Sequence, residues 1–135
     1  MSKMQYVIWK DEYSVGIPEL DAQHKKILKV IDNLYTATRG KENSSVIWES
    51  LLELRDYTMT HFACEEKKLR DCDYPDLVVH VNAHDLLRGK TEEFVGMYRL
   101  GTGGLSFDLL DFLKKWWTQH ILRMDQNYVS CILQH

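Results

Sequence analysis

The chain has 135 residues, the size of one ordinary domain, and its 44% hydrophobic content is enough for a real core. A formal net charge of −3 with a pI near 6.0 carries no electrostatic footprint for nucleic acid or an anionic membrane surface. No apolar run approaches a bilayer span, and MSKMQYVIWKDEYSVG has no apolar segment followed by a small-residue cleavage site. Neither a membrane helix nor a signal peptide is expected.

Residues 1–16 read as an extended N-terminal arm, with Tyr6, Val7, Ile8, Trp9 and Tyr13 as packing groups, and residues 17–135 as a helical bundle. Pro18 suits the first turn of a helix, where its missing N–H is harmless. Glu19 and Asp21 then place negative charge at the positive helix end. Leu20, His24, Ile27, Leu28, Ile31 and Leu34 share one face at helical spacing. Arg39-Gly40-Lys41-Glu42-Asn43-Ser44 reads as a loop, with Ser44 or Ser45 as N-cap.

A second helix, over about 46–71, turns Ile47, Leu51, Leu54, Thr58, His61, Glu65 and Leu69 inward. Cys72-Asp73-Tyr74-Pro75 makes the next turn, and Pro75 is placed to open a third helix. Its stripe is Leu77, His80, His84, Leu87, Thr91, Phe94 and Tyr98. Gly101-Thr102-Gly103-Gly104 ends that helix, and Ser106 can cap a fourth. The fourth carries Leu109, Leu113, Trp116, Trp117, His120, Ile121, Met124 and Tyr128. Four amphipathic helices joined by short loops predict a single all-α domain, an up-down-up-down four-helix bundle.

The three cysteines are an odd number with no CxxC, which fits a reducing cytoplasm better than a disulfide scaffold. Cys72 and Cys131 carry no signal of their own, and Cys64 reads as a small core residue.

Five of the six histidines fall on the inner stripes: His24, His61, His80, His84 and His120. Glu65 follows His61 at i+4, about 40° around a helix, and His80 and His84 repeat that spacing. Asp125 follows His120 at i+5, roughly 140° away on an ideal helix. It must therefore reach around, or the helix must carry a π-bulge. A lone inward histidine is usually a hydrogen-bonded core residue. Five in register with two inward acids are not, because buried charge without partners is very costly. Imidazole and carboxylate together suit iron, zinc, copper or manganese. Seven ligands exceed one tetrahedral zinc and suit two metals sharing carboxylates. Glu66 reads as a solvated acid or a support for a ligand, and terminal His135 as lying outside the site.

The pattern resembles the hemerythrins, specifically single-domain bacteriohemerythrins, over nearly the whole chain. The resemblance lies in Trp9, Ser14-Val15-Gly16-Ile17, Asp21-Ala22-Gln23-His24, His61-Phe62-Ala63-Cys64-Glu65-Glu66, Tyr74-Pro75, His80-Val81-Asn82-Ala83-His84, and Trp116 followed by His120-Ile121 and Asp125. It implies two non-heme iron ions. One would be held by His80, His84 and His120, the other by His24 and His61 with one position open. Glu65, Asp125 and an oxo or hydroxo group would bridge them. Dioxygen would be taken up at the open position, and small anions such as azide could occupy it. An apolar wall of Trp116, Trp117, Ile121, Phe62 and Leu28 would exclude water.

Three residues depart from the family pattern. Trp117 stands where the family usually has leucine, which would narrow the pocket. Leu69 and Asp73 replace the usual methionine and glycine before Tyr-Pro.

The function implied is reversible, non-enzymatic dioxygen binding for carriage, storage, delivery or sensing. An oxygen-consuming or signalling protein would be its partner. The alternative is a diiron redox enzyme or a protein that handles nitric oxide or peroxide. Ferritin-like diiron proteins use Glu-x-x-His pairs. Here the residues three before the histidines are Asp21, Thr58, Leu77, Val81 and Trp117, so that pairing is absent.

Overall fold

The computed structural model describes residues 6–39, 44–100 and 107–134. Of the expected loop over 39–44, residues 40–43 lie outside the described residues, as do the glycine-rich stop at 101–104, the Ser106 cap and His135; Arg39 is instead the last residue of one helix, and Ser44 and Ser45, the expected N-caps, are already inside the next. Four long helices form: α1 Pro18–Arg39, α2 Ser44–Asp71, α3 Leu77–Leu100 and α4 Phe107–Arg123. A 3-10 turn at Asp125–Tyr128 and a short α5, Val129–Leu133, follow. Helix α1 packs on α2 and α4, and α2 packs on α3. The result is the predicted all-α bundle.

The inner stripes explain these contacts. Leu20, Ile27, Ile31 and Leu34 of α1, Leu51 and Leu54 of α2, Leu87 of α3 and Leu113 and Ile121 of α4 are all essentially inaccessible. Each fully buried side chain of this kind is worth about 1.5–3 kcal/mol of transfer free energy. Ile47, Leu77 and Tyr98, expected on the same stripes, are only half-buried near the helix ends.

The arm is fastened by one acid at each end. Asp32 Oδ1 accepts the backbone N–H groups of Tyr6 (2.6 Å) and Val7 (3.0 Å). Asp21 accepts from Ser14 Oγ at 2.6 Å and from the Val15 N–H at 2.8 Å. Val7 and Tyr13 are buried and the Tyr6 ring stacks on Tyr35, but Ile8 is 54% exposed, against expectation. The arm is also not extended throughout, since Asp11–Tyr13 winds into a 3-10 turn.

Three further expectations are corrected. Pro75 does not open the third helix: a turn closed by the Leu77 N–H on the Tyr74 carbonyl (3.2 Å) precedes it, and α3 starts at Leu77. The fourth helix does not run through to Tyr128, because it stops at Arg123. Cys72 and Cys131 are not silent; they form a disulfide with Cα atoms 5.9 Å apart. That pairing removes part of the argument for a reducing compartment. Cys64, the remaining thiol, is half-buried rather than core and donates to Glu19 Oε1 at 3.3 Å.

Asp73 shows how this chain closes α2 without glycine. Its φ is 54°, in the left-handed region. The Tyr74 N–H bonds the Leu69 carbonyl (3.0 Å) and the Asp73 N–H bonds the Arg70 carbonyl (3.1 Å). This is the Schellman pattern, in which glycine is preferred and aspartate is among the few tolerated alternatives.

The disulfide joins the α2–α3 turn to the C-terminal segment across a sequence separation of 59. Closing a loop of that size is worth up to about 4 kcal/mol through the unfolded state. Cys72→Ser is expected to lower the unfolding free energy by about 2–4 kcal/mol. Chemical denaturation with and without reductant checks this: reductant should weaken the parent protein and leave the variant unchanged. Equal stability of oxidised and reduced parent would show that the tether contributes nothing.

Candidate metal centre

All seven side chains singled out by spacing converge inside the bundle. His24 comes from α1, His61 and Glu65 from α2, His80 and His84 from α3, His120 from α4, and Asp125 from the 3-10 segment. None is more than 5% exposed. The i, i+4 pairs share one inward face because a four-residue step overshoots a 3.6-residue turn by only about 40°.

Asp125 arrives by neither route that its spacing suggested. No π-bulge forms between His120 and Asp125. After Arg123 the chain leaves the α4 geometry, and the segment that follows packs its short α5 against α2. Asn127 Nδ2 donates to the otherwise unused Arg123 carbonyl at 2.9 Å, which satisfies the broken helix end. Asp125 thus enters from the departing segment rather than from the wall of α4.

The two carboxylates divide their oxygens between two sets of histidines. Glu65 Oε1 lies 2.6 Å from His80 Nε2 and 3.1 Å from His84 Nε2. Its Oε2 lies 3.1 Å from His61 Nε2 and 3.7 Å from His24 Nε2. Asp125 Oδ1 is 3.1 Å from the Nε2 atoms of both His80 and His120, and Oδ2 is 3.2 Å from His24 Nε2. Two groups of donor atoms result, each within 4.8 Å: Glu65 with His80, His84 and His120, and His24 with His61, Glu65 and Asp125.

Outer partners orient the imidazoles. His61 Nδ1 meets Gln23 Oε1 at 2.7 Å, and His84 Nδ1 meets Glu66 Oε2 at 2.7 Å. Because Gln23 Oε1 and Glu66 accept, the protons sit on Nδ1 and the Nε2 lone pairs of His61 and His84 point inward. Glu66 is held in turn by Arg88 Nη2 at 2.8 Å, and is a buried support rather than a solvated acid. Tyr128, buried completely, donates its hydroxyl to Glu65 Oε2 at 2.9 Å. Sequence reasoning missed Gln23 and Tyr128. Gln23 serves a histidine on another helix, and Tyr128 gave only an inward spacing on a helix that ends before it.

This donor set fits metal cations. The Nε2 atoms of His24 and His61 are 2.9 Å apart, and those of His84 and His120 are 3.2 Å apart. Lone pairs and carboxylate oxygens therefore crowd the same small volume. Both Asp125 oxygens are buried without a hydrogen bond, although three histidine nitrogens lie at ion-pair distance. Distance alone does not make those contacts hydrogen bonds; the geometry is that of ligands facing a common centre.

Without metal, protons carry the compensating charge. Burial pushes His24 down, but Asp125 and Glu65 override it and hold His24 up at about 9. His80 is also held at about 9, for the same reason and with the same two acids. His61 goes the other way: burial pushes it down, and a protonated His24 repels a second charge. Burial opposes ionisation of Glu65, yet its four histidine contacts keep it well below the usual carboxylate range.

Aromatic rings close the site. Phe62 stacks on His84 with centroids 3.8 Å apart, and Trp116 stacks on His120 at 4.5 Å. Trp117 lies 5.7 Å from His61 and 6.4 Å from His24, centroid to centroid. Leu28 and Ile121 are buried in the same core, as the apolar wall requires, whereas Trp116 is half-buried.

The profile of the Hemerythrin HHE cation binding domain matches residues 15–132, a span that holds all seven convergent residues. The chain belongs to the hemerythrin family. It is 33% identical to a bacteriohemerythrin of Pseudomonas aeruginosa over 129 residues, covering 96% of this chain and 83% of that protein. It is 29% identical to a bacteriohemerythrin of Clostridium acetobutylicum, covering 91% and 98%. A crystal structure of wild-type hemerythrin superposes with a TM-score of 0.88 at 28% identity, covering 94% of this chain and 98% of that one.

Metal uptake has a proton signature that follows from the raised histidines. A ligating imidazole must be neutral. At pH 7, His24 and His80 are protonated in the metal-free protein, so binding should release about two protons per chain from them. Release should fall, and apparent affinity should level off, as pH rises through about 9. An indicator-dye titration of metal-free protein with ferrous iron reads this directly. Proton release that is independent of pH between 7 and 10 would contradict it.

Proposed function

We propose that this hemerythrin is a non-heme diiron protein that binds dioxygen reversibly without turning over a substrate. The observation that carries the reading is the division of the Glu65 and Asp125 oxygens between a three-histidine and a two-histidine set. In this reading His80, His84 and His120 would hold one iron and His24 and His61 the other, with Glu65 and Asp125 placed to serve both. The set is unequal, so the two-histidine side keeps one position for an exchangeable ligand. When bound, the iron pair supplies the electrons that dioxygen takes up.

The chain's own residues do the rest. Two carboxylates against five neutral imidazoles bring little negative charge, which limits further oxidation chemistry. Gln23 and Glu66 hold the His61 and His84 rings with their lone pairs inward. The Tyr128 hydroxyl fixes Glu65 and keeps one bridging oxygen from swinging away. Trp117, Phe62, Ile121 and Leu28 are buried apolar groups of one core cluster and would keep water from the exchangeable position. No helix among the described residues is long and apolar enough to cross a membrane. An oxygen-consuming or signalling protein is the natural receiver of the ligand or of its signal.

Two measurements test this. Protein purified with adequate iron should contain about two irons per chain, as a dinuclear site requires. Glu65→Ala and Asp125→Ala should each lower metal content and remove electronic coupling, since each takes an anion from between two cations. One tightly bound metal, a preference for zinc, or normal dinuclear spectra in both variants would overturn the assignment.

The second measurement is the optical spectrum of the diferrous protein before and after air. A colour that appears with air and bleaches on deoxygenation over several cycles is expected. Immediate irreversible oxidation would favour a redox enzyme or a nitric-oxide- or peroxide-handling protein instead.

A further inference from the structure

We propose that the indole N–H of Trp117 is a built-in hydrogen-bond donor for the small ligand on the two-histidine side, favouring ligands whose outer atom carries negative charge. The inference rests on the dioxygen-binding reading for its physiological ligand, and on geometry for its chemistry.

Trp117 is 0% exposed, and its Nε1 has no hydrogen-bond partner. Buried polar groups in folded proteins are paired with few exceptions, and each exception calls for an explanation. A core position that needed only volume would be filled more cheaply by leucine or phenylalanine, which carry no donor. The other three tryptophans, Trp9, Trp48 and Trp116, are half-buried, so the isolated donor belongs to the one tryptophan sealed from solvent.

Its place gives the donor a use. Phe62 stacks on the indole at 5.4 Å and 21°, which holds the plane of the ring. The same ring lies against His61 and His24 at 55° and 60°, the two imidazoles of the less crowded set. The described residues supply no acceptor for this N–H, and a ligand bound beside His24 and His61 would.

Azide carries negative charge on its terminal nitrogens, and an oxygen-derived ligand would offer the lone pairs of its outer oxygen. A hydrogen bond to a charged acceptor is about twice as strong as a neutral one. The competing use is a buried water. Such a water would hold the N–H whether or not a ligand is present.

Ultraviolet resonance Raman spectra report the bonding of a buried indole N–H, and the change on adding azide is read in the parent protein alone. Trp117→Phe identifies the band that belongs to this residue. Metal-free and ligand-free diferric protein should show a free N–H, and adding azide should shift that band to the bonded position. A band already bonded before azide, or unmoved by it, overturns the proposal.

Kinetics give a second reading. In Trp117→Phe, which keeps an aromatic ring and removes the donor, azide should dissociate about tenfold faster with no slower association. Faster association with unchanged dissociation would mean that Trp117 acts by volume alone, and would sink the hydrogen bond. The function is tested separately by air. Reversible dioxygen uptake with an unmoved indole band leaves the proposed function standing and removes this inference. A band that responds to azide in a protein that oxidises irreversibly in air does the reverse.

Discussion

The constraint on which this structure depends is the burial of two carboxylates among five imidazoles with too little hydrogen-bonding capacity to satisfy them all. Glu65 and Asp125 are wholly inaccessible, and both Asp125 oxygens lack a hydrogen bond. Charge taken out of water is tolerated only when opposite charge accompanies it. Protons on His24 and His80 can supply that charge, and so can metal cations. A helical bundle with an ordinary apolar core would gain nothing from this arrangement. Its presence at the centre of the bundle is therefore a statement about ligands rather than about stability.

Everything around the centre limits what those groups can do. Gln23, Glu66 and Tyr128 act on His61, His84 and Glu65 through hydrogen bonds of 2.7–2.9 Å. The stacked rings of Phe62 and Trp116 restrict the planes of His84 and His120. The base of the site depends on the break after Arg123, since a continuous helix would carry Asp125 away from the axis. The Cys72–Cys131 disulfide ties the segment that bears Asp125 and Tyr128 back to the α2–α3 turn. The covalent tether and the Asp125 carboxylate thus belong to one stretch of chain.

The asymmetry between the two sides of the centre comes from simple helical arithmetic. Helix α3 supplies two histidines one turn apart, while α1 supplies one and α2 pairs its histidine with an acid at the same spacing. The side served by α1 and α2 is consequently the poorer in nitrogen ligands. Trp117 lies on that poorer side, its ring centroid 5.7 Å from that of His61 and 6.4 Å from that of His24.

Helix identity, the inward stripes and the seven convergent residues were legible in the chain alone, because they follow from local periodicity and from breakers such as Pro18 and the turn at Cys72–Pro75. The family resemblance also lay in the residues themselves, whereas Asp73 stood out only as a departure from the family pattern until the structure placed it in the left-handed region. What the tertiary structure decided is everything that depends on how one helix is rotated against another. Which oxygen of Glu65 faces which histidine, that Gln23 serves His61, and that Cys72 meets Cys131 across 59 residues are properties of packing, with no local periodic signal. The same holds for the end of α4. Its pattern of inward residues continues smoothly to Tyr128, so periodicity predicts one helix. The chain instead turns away after Arg123, which brings Asp125 beside the histidines and lets Tyr128 hold Glu65 from the far side of the break.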